Sequence, residues 1–293
     1  MDEDLSVAGC SGEGVTEDVI TLIHASDVHF GKRHDSEAMA AFQGFLKGAE
    51  ADLLVISGDL TQRAKVKEYG AARAFLQELE PLPVVVTPGN HDVPLYRVFE
   101  RIFRPLANYQ TYISRELDSV TEIPGVTLVS INSTAPRRAI VNGRIRDSQL
   151  RFAAEAFQKA SPGHLRVLVT HHNLLRAPDY EPEQILPGQG RILSMLSRMG
   201  VDLILGGHLH RSYVGSSADA YSQPPGTRPI IIAHTGTTTS SRGRGKERGR
   251  NSLNLIQISP QEMVIIPHLL DRAEGAFHPT ERHTFPRKGV ESE

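Results

Sequence analysis

The stretch Val19-Ile20-Thr21-Leu22-Ile23-His24-Ala25-Ser26-Asp27-Val28-His29 reads as a buried strand that ends in a turn carrying a carboxylate and an imidazole. Apolar and β-branched residues run from Val19 to His24, the pattern of a strand covered on both faces. Asp27 and His29 are two apart, so on extended backbone they face the same way, and a turn after Ala25 aims both at one ion. The same grammar recurs along the chain. Leu53 to Ile56 leads to Gly58-Asp59, Val84 to Val86 to Gly89-Asn90-His91-Asp92, Val167 to Val169 to His171-His172, and Leu203 to Leu205 to Gly207-His208-Leu209-His210. In open α/β architectures the crevice beyond the carboxyl ends of the strands is where ligands bind, so five such ends are expected to converge on one site.

Between these strands the spacing turns helical. Ser36 is placed to cap a helix with Met39, Phe42, Phe45 and Leu46 as its apolar stripe, and a second helix starts near Lys65 with Tyr69, Ala72, Phe75, Leu76 and Leu79. Leu95 to Tyr109 reads as a third despite Pro105, and Ser148 to Ala160 and Arg191 to Met199 as two more. Val126 to Ile131 is expected as a strand, as is Arg166 to Thr170. Ile230 to Ala233, Leu253 to Ile258 and Met263 to Leu269 then follow as strands without intervening helices. The expected class is therefore α/β, as a mixed sheet or a sandwich of two sheets rather than one parallel sheet.

With 293 residues, 39% of them hydrophobic, the chain can bury one large core. The expected organisation is a disordered tail over 1–18, one large domain over 19–270 and a peripheral C-terminal tail over 271–293. A formal net charge of -2, from 32 basic and 34 acidic residues, supplies no global field for nucleic acid or an anionic surface. No run of about 18 apolar residues is present to span a membrane. Cys10 is the single cysteine, and the acidic start Met1-Asp2-Glu3-Asp4 is unlike a secretory signal, so the expected compartment is the cytoplasm. Two loops stand out. Ala177 to Gly190 is rich in proline and is a candidate lid, and Ser240 to Asn251 carries Arg242, Arg244, Lys246, Arg248 and Arg250, to be read either as a phosphate-binding loop or as a solvated one.

Taken singly, the motifs have plainer readings. Asp59 could cap the following helix or bridge two metals. Any one histidine could be a hydrogen-bonded surface residue. Asn90 offers a neutral carbonyl oxygen, and Gly89 permits the tight turn that points it inward. The paired histidines and the common strand-end setting carry the metal reading.

The full constellation resembles the calcineurin-like metallophosphoesterase superfamily, whose pattern is D-x-H, G-D, G-N-H-[DE], H and G-H-x-H in this order, from about His24 to His210. The surroundings His24-Ala25-Ser26-Asp27-Val28-His29-Phe30-Gly31, Ser57-Gly58-Asp59-Leu60-Thr61-Gln62 and Pro88-Gly89-Asn90-His91-Asp92 look most like the branch of bacterial class III cyclic-nucleotide phosphodiesterases. Asn132 stands where that branch commonly has an acidic residue. The resemblance implies a two-sheet α/β sandwich of mixed β-sheets flanked by α-helices, and two divalent ions per chain, with Asp27, His29 and His210 on one, Asn90, His171 and His208 on the other and Asp59 bridging both. It implies His171 rather than His172 as the ligand, leaving His172 outside the coordinating set. Two cations about 3.5–4 Å apart can hold and acidify a hydroxide and neutralise phosphoryl charge. His91 resembles the family histidine that approaches the substrate as hydrogen-bond donor or general acid, and Asp92 is read either as its orienting partner or as a helix-start residue. The mixed oxygen and nitrogen donors suit Mn, Fe, Zn or Co. The expected reaction is hydrolysis of a small-molecule phosphodiester, with cyclic nucleotides such as cAMP as the substrate class. Phosphomonoesters and phospholipid or nucleotide-sugar diesters are the alternatives; a nuclease is disfavoured by the missing basic face, and a scaffold role by the complete ligand set.

Overall fold

The computed structural model describes residues 19–137, 141–177, 185–219, 222, 224–243 and 248–287. The opening run forms β1 (Ile20–Ala25), and β2 (Leu53–Ile56) and β3 (Val84–Val86) lie parallel to it in turn. On the other side of β1 the antiparallel β10 (Ser252–Ile258) and β11 (Glu262–Asp271) extend the sheet. The second sheet is β4 (Ser119–Ile123), β5 (Val126–Ile131), β6 (Leu165–Thr170), β7 (Leu203–Gly206), β9 (Ile231–His234) and β8 (Tyr213–Ser216) in spatial order; β5, β6, β7 and β9 are parallel and both outer strands antiparallel. The architecture is the expected α/β sandwich of two mixed sheets.

Residue alternation shows why the layers form. Leu22, Leu53 and Val55 of the first sheet meet Val167, Val169, Leu203 and Leu205 of the second in one buried cluster between the sheets. Their neighbours Ile23, Leu54 and Ile56 point outward onto α1 (Ser36–Gly48) and α2 (Val66–Glu78), while Leu168 and Ile204 point the other way onto α5 (Asp147–Lys159) and α6 (Gln189–Arg198). Strands buried on both faces thus read as continuous apolar runs, as they do here.

Several details differ from the sequence reading. The cap of α1 is Asp35, not Ser36: its Oδ1 accepts from the amides of Glu37 and Ala38, both at 3.1 Å. The expected helix from Leu95 to Tyr109 is two short ones, α3 (Val98–Phe103) and α4 (Ala107–Tyr112), broken at Arg104-Pro105, where proline lacks the amide a continuous helix needs. Beyond Asp271, β12 (Ala276–Pro279) and β13 (His283–Pro286) pair with β11, so residues read as a tail add edge strands to the first sheet. Much of the expected lid, 178–184, and Arg244 and Lys246 of the basic loop lie outside the described residues, as does the expected N-terminal tail.

Candidate metal centre

The parallel strands β1, β2 and β3 deliver Asp27, His29, Asp59 and Asn90 to one edge of their sheet, and β6 and β7 bring His171, His208 and His210 to the same edge from the other. Loop amides stitch the strand ends together: Asp27 N–H donates to Gly58 O at 3.0 Å, His29 N–H to Asp59 O at 2.9 Å and Gly207 N–H to His171 O at 3.1 Å. The backbone bends sharply to do this. Seven non-glycine residues among those described have positive φ, and five of them are Asp27, His29, Asp59, His208 and His210. Such conformations are unfavourable for side chains with a Cβ, and their concentration at one edge marks a functional site. Close approach also fixes the glycines: a Cβ on Gly58, at φ 104°, would meet the His171 ring, and one on Gly89 would meet the Asp59 carboxylate.

Two groups of donors share one oxygen. In the first, Asp27 Oδ1 lies 3.3 Å from His210 Nε2 and 3.5 Å from His29 Nε2. In the second, Asn90 Oδ1 lies 3.1 Å from His171 Nε2 and 2.9 Å from His208 Nδ1. Asp59 Oδ2 stands between them, 3.7 Å from His29 Nε2 and 3.5 Å from His171 Nε2. Ligand atoms of Asp27, His29, Asp59 and His210 all lie within 4.8 Å of one another.

The surrounding hydrogen bonds orient the donors. His171 directs Nδ1 to Ser57 O at 2.8 Å and His29 directs Nδ1 to Thr61 O at 3.4 Å, which turns each Nε2 inward. Asp27 Oδ2 accepts from Ser26 Oγ and the His208 amide, leaving Oδ1 toward the imidazoles. Asp27 Oδ1 and His29 Nε2 are buried without a hydrogen-bond partner. His171 presents a single ring nitrogen to two oxygens while its other nitrogen is engaged. One proton cannot satisfy that set; a divalent cation on each side of Asp59 would, and the mixed carboxylate, amide and imidazole donors suit one.

The electrostatics agree. Burial alone would raise the Asp27 and Asp59 carboxyls, yet His210 and His29 beside the first, and His171 and His91 beside the second, hold both well below the usual carboxylate range. Burial opposes charge on His171, but the adjacent Asp59 carboxylate outweighs it and raises the ring from 6.5 to about 9. In the metal-free protein this imidazolium is a stand-in cation. Its folded value lies above its unfolded one, so its contribution is fully present below pH 6.5 and is lost as pH rises through about 9. Metal-stripped protein should therefore lose stability across that window. Metal-loaded protein should show no such slope, and urea unfolding at a series of pH values reads the difference.

Beside the donors, His91 is partly buried. Its amide donates to Asp59 Oδ1 at 2.7 Å, its Nδ1 faces Gln62 O at 3.0 Å, and Arg242 Nη1 approaches Nε2 at 2.8 Å. Burial lowers its pKa to about 4, so the ring is neutral near pH 7, with its proton on Nδ1 and a lone pair toward Arg242. The Asp92 carboxylate makes no bond to the His91 ring, which corrects the orienting reading in favour of the helix-start one: it accepts from the amides of Gly89 at 2.9 Å, Leu60 at 3.2 Å and Thr61 at 2.9 Å, and from Thr61 Oγ1 at 2.9 Å. It ties the loop after β2 to the turn after β3, the two loops that carry Asp59 and Asn90. The partners of the His91 ring are the Gln62 carbonyl and Arg242.

His172 turns away from the donor set, with Nδ1 at 2.8 Å from Ser133 Oγ and its ring against His171 and His208 at centroid distances of 5.0 and 4.7 Å. Asn132 accepts from the Thr134 amide and hydroxyl, which closes a turn away from the donors. Sequence reasoning missed the Thr237-Thr238-Thr239 clamp. Thr237 Oγ1 donates to Asp27 O at 2.7 Å, the Thr238 amide to Ser26 O at 2.9 Å and Thr239 Oγ1 to Val28 O at 3.0 Å, which fixes the strained first turn. The signal was a run of hydroxyl residues after β9, one more strand end at the same edge. Above the donors a cavity of about 190 Å³ is lined by Asp59, Asn90, His208 and His210 on its floor and by His91, Gln62, Arg63, Leu95, Val141 and Arg242 around its wall.

The profile of the calcineurin-like phosphoesterase family matches residues 20–212. Similar curated proteins include one named a probable cyclic nucleotide phosphodiesterase from Rhodococcus erythropolis, 24% identical over 260 residues that make up 83% of this chain and 81% of the relative. Another of that name from Synechococcus is 27% identical over 177 residues, 60% of this chain and 64% of the relative. Among solved structures, a purple acid phosphatase from yellow lupin (Lupinus luteus) superposes with a TM-score of 0.69 at 12% identity over 93% of this chain, which spans 54% of the lupin chain. A dimetal phosphatase from Danio rerio superposes with a TM-score of 0.63 at 11% identity, covering 91% of this chain and 98% of its own. These two likenesses concern the fold.

Proposed function

We propose that this chain, which belongs to the calcineurin-like phosphoesterase family, hydrolyses small-molecule phosphodiesters, with cyclic nucleotides such as cAMP as the favoured class. It is accordingly a metal-dependent phosphoester hydrolase with a dinuclear divalent-metal site. The observation that carries the reading is the placement of Asp59 Oδ2 between two donor groups on the floor of an open cavity. Asp27, His29 and His210 would hold one ion, Asn90, His171 and His208 the other, and Asp59 both. Bound there, two divalent ions supply Lewis-acid activation of water and neutralisation of phosphoryl charge. About four protein donors per ion leave positions for water and substrate in five- or six-coordinate sites. The donor set favours Mn, Fe, Zn or Co.

The cavity wall supplies the rest. Arg242 is a standing cation over the floor, and an arriving phosphoryl oxygen would compete with the His91 ring for its N–H. A phosphoryl anion beside His91 also favours the protonated ring, which ties proton donation to the leaving oxygen to the presence of substrate. Arg242→Ala should reduce kcat/KM for a soluble diester by about 10–100-fold, the loss of one charge-assisted hydrogen bond, with metal content unchanged. Metal analysis alongside steady-state kinetics checks both halves.

The diester preference is supported by the two relatives named as probable cyclic nucleotide phosphodiesterases. A phosphomonoester is the second reading, because Arg63 and Arg242 both line the cavity and two cations suit a dianion. Hydrolysis of bis(p-nitrophenyl) phosphate and p-nitrophenyl phosphate by metal-stripped protein, restored separately with manganese, iron, zinc or cobalt, tests the choice. Metal-dependent turnover that favours the diester, followed by cleavage of cAMP, supports the proposal; a preference for the monoester replaces it with a phosphatase.

A further inference from the structure

Helix α3 is amphipathic in the inverse sense. None of its six residues, Val98-Phe99-Glu100-Arg101-Ile102-Phe103, is buried. Its cations face the body: Arg97, just before it, donates to the carbonyls of Arg63 at 3.3 Å and Ala64 at 2.8 Å, and Arg101 donates to Leu95 O at 3.4 Å. Its apolar residues face solvent. Phe99 is 80% exposed, Phe103 73% and the preceding Tyr96 74%, with Val98 and Ile102 completing the face. Scattered apolar side chains at a surface are ordinary, but a helix held by its arginines with its aromatic face outward marks an interaction surface.

Basic residues are in excess around that face. Arg104, Arg137, Arg144 and Arg146 are exposed and line two adjoining cavities of about 330 and 390 Å³ at the carboxyl end of α3, and Arg137 Nε donates to Ile102 O at 3.3 Å. None of the four forms an ion pair among the described residues. The neighbouring acids are fewer: Glu100 pairs with Arg97, Asp147 pairs with Arg191 and also feels Arg144, and Asp118 accepts from the Asn132 amide and Gln149. Exposed aromatics beside an excess of exposed arginines match the boundary of an anionic bilayer, where rings enter the headgroup layer and guanidinium groups take phosphates. A symmetric contact with a second copy centred on the arginine cluster would bring it close to its own duplicate, which like charge disfavours.

We propose that α3 and the adjoining arginine cluster dock the protein on an anionic lipid surface. Val141, 42% exposed, and Leu95 continue the apolar face into the wall of the metal cavity, so docking would set the cavity mouth beside the lipid. The proposal is independent of the bond the centre cleaves. It is tested by sedimenting the full chain with vesicles of phosphatidylcholine alone and of phosphatidylcholine with phosphatidylglycerol. Retention on the anionic vesicles only, with release at high salt, is expected. The variant carrying Phe99→Ser and Phe103→Ser should bind them at least about tenfold more weakly, and R144E with R146E should also weaken binding, both with unchanged turnover of soluble bis(p-nitrophenyl) phosphate. No retention of the wild type, or equal retention of the phenylalanine variant, overturns the proposal. So does a concentration-dependent dimer that the same serine substitutions dissociate, which would give the face to a second copy. An Asp59 variant that loses turnover but still binds vesicles would keep the two readings apart.

Discussion

Asp59→Asn should lower metal-dependent turnover by about 10³-fold or more and remove at least one equivalent of metal per chain, while the protein remains folded. The estimate exceeds the 10²–10³-fold typical for losing one preorganised electrostatic contact because the carboxylate is proposed to serve two ions at once. Asparagine keeps the volume and can still accept the His91 amide through its oxygen, the bond Asp59 Oδ1 makes at 2.7 Å. It removes the negative charge at Oδ2, the atom that stands 3.7 Å from His29 Nε2 and 3.5 Å from His171 Nε2. Turnover and metal content should therefore fall together. Circular dichroism establishes that the fold persists, and metal analysis with bis(p-nitrophenyl) phosphate kinetics reads the effect. A fully loaded, fully active variant would exclude Asp59 as the bridge.

His91→Gln has the second largest expected effect and the opposite metal signature. The ring lies against the donor set, edge-on to His29 at 4.8 Å, but its nitrogens face Gln62 O and Arg242. Removing it should reduce kcat by about 10²–10⁴-fold, the usual range for a positioned acid or base, and leave both metal equivalents in place. The loss should shrink for substrates whose leaving group is a good nitrophenolate and grow for an alkoxide, since only the poor leaving group needs a proton. Metal loss from a folded His91 variant would make the residue a ligand or a support for one. An equal loss with both leaving groups would shift its role to holding Arg242.

The site was legible in the sequence to the extent that it follows from strand ends. β1, β2, β6 and β7 are short and largely buried on both faces, and β3 is short and partly buried, so their apolar runs stop abruptly where the polar motifs begin, and parallel pairing leaves those motifs at one edge. What stayed hidden depends on contacts distant in the chain. Asp92 adjoins His91 in sequence but bonds to amides at positions 60, 61 and 89, because the short turn over Asn90–Asp92 points consecutive side chains in different directions. Arg242 stood among five basic residues of a loop, and only the fold shows that it reaches across 151 positions to His91. The edge strands β4, β8, β12 and β13 are only four or five residues long and hold few apolar residues among polar ones, glycine or proline, so no apolar run announces them. The outward face of α3 reads by periodicity as any buried stripe would, because spacing reports which residues share a face and not which way it turns.

The central claim is a pair of ions shared through Asp59, and the most direct measurement is the metal-to-chain ratio at which diester turnover saturates when manganese is titrated into stripped protein at concentrations well above the dissociation constant. Saturation at about two equivalents per chain, falling to one or none in Asp59→Asn, is expected. Full turnover at one equivalent, or before any metal is restored, would contradict it.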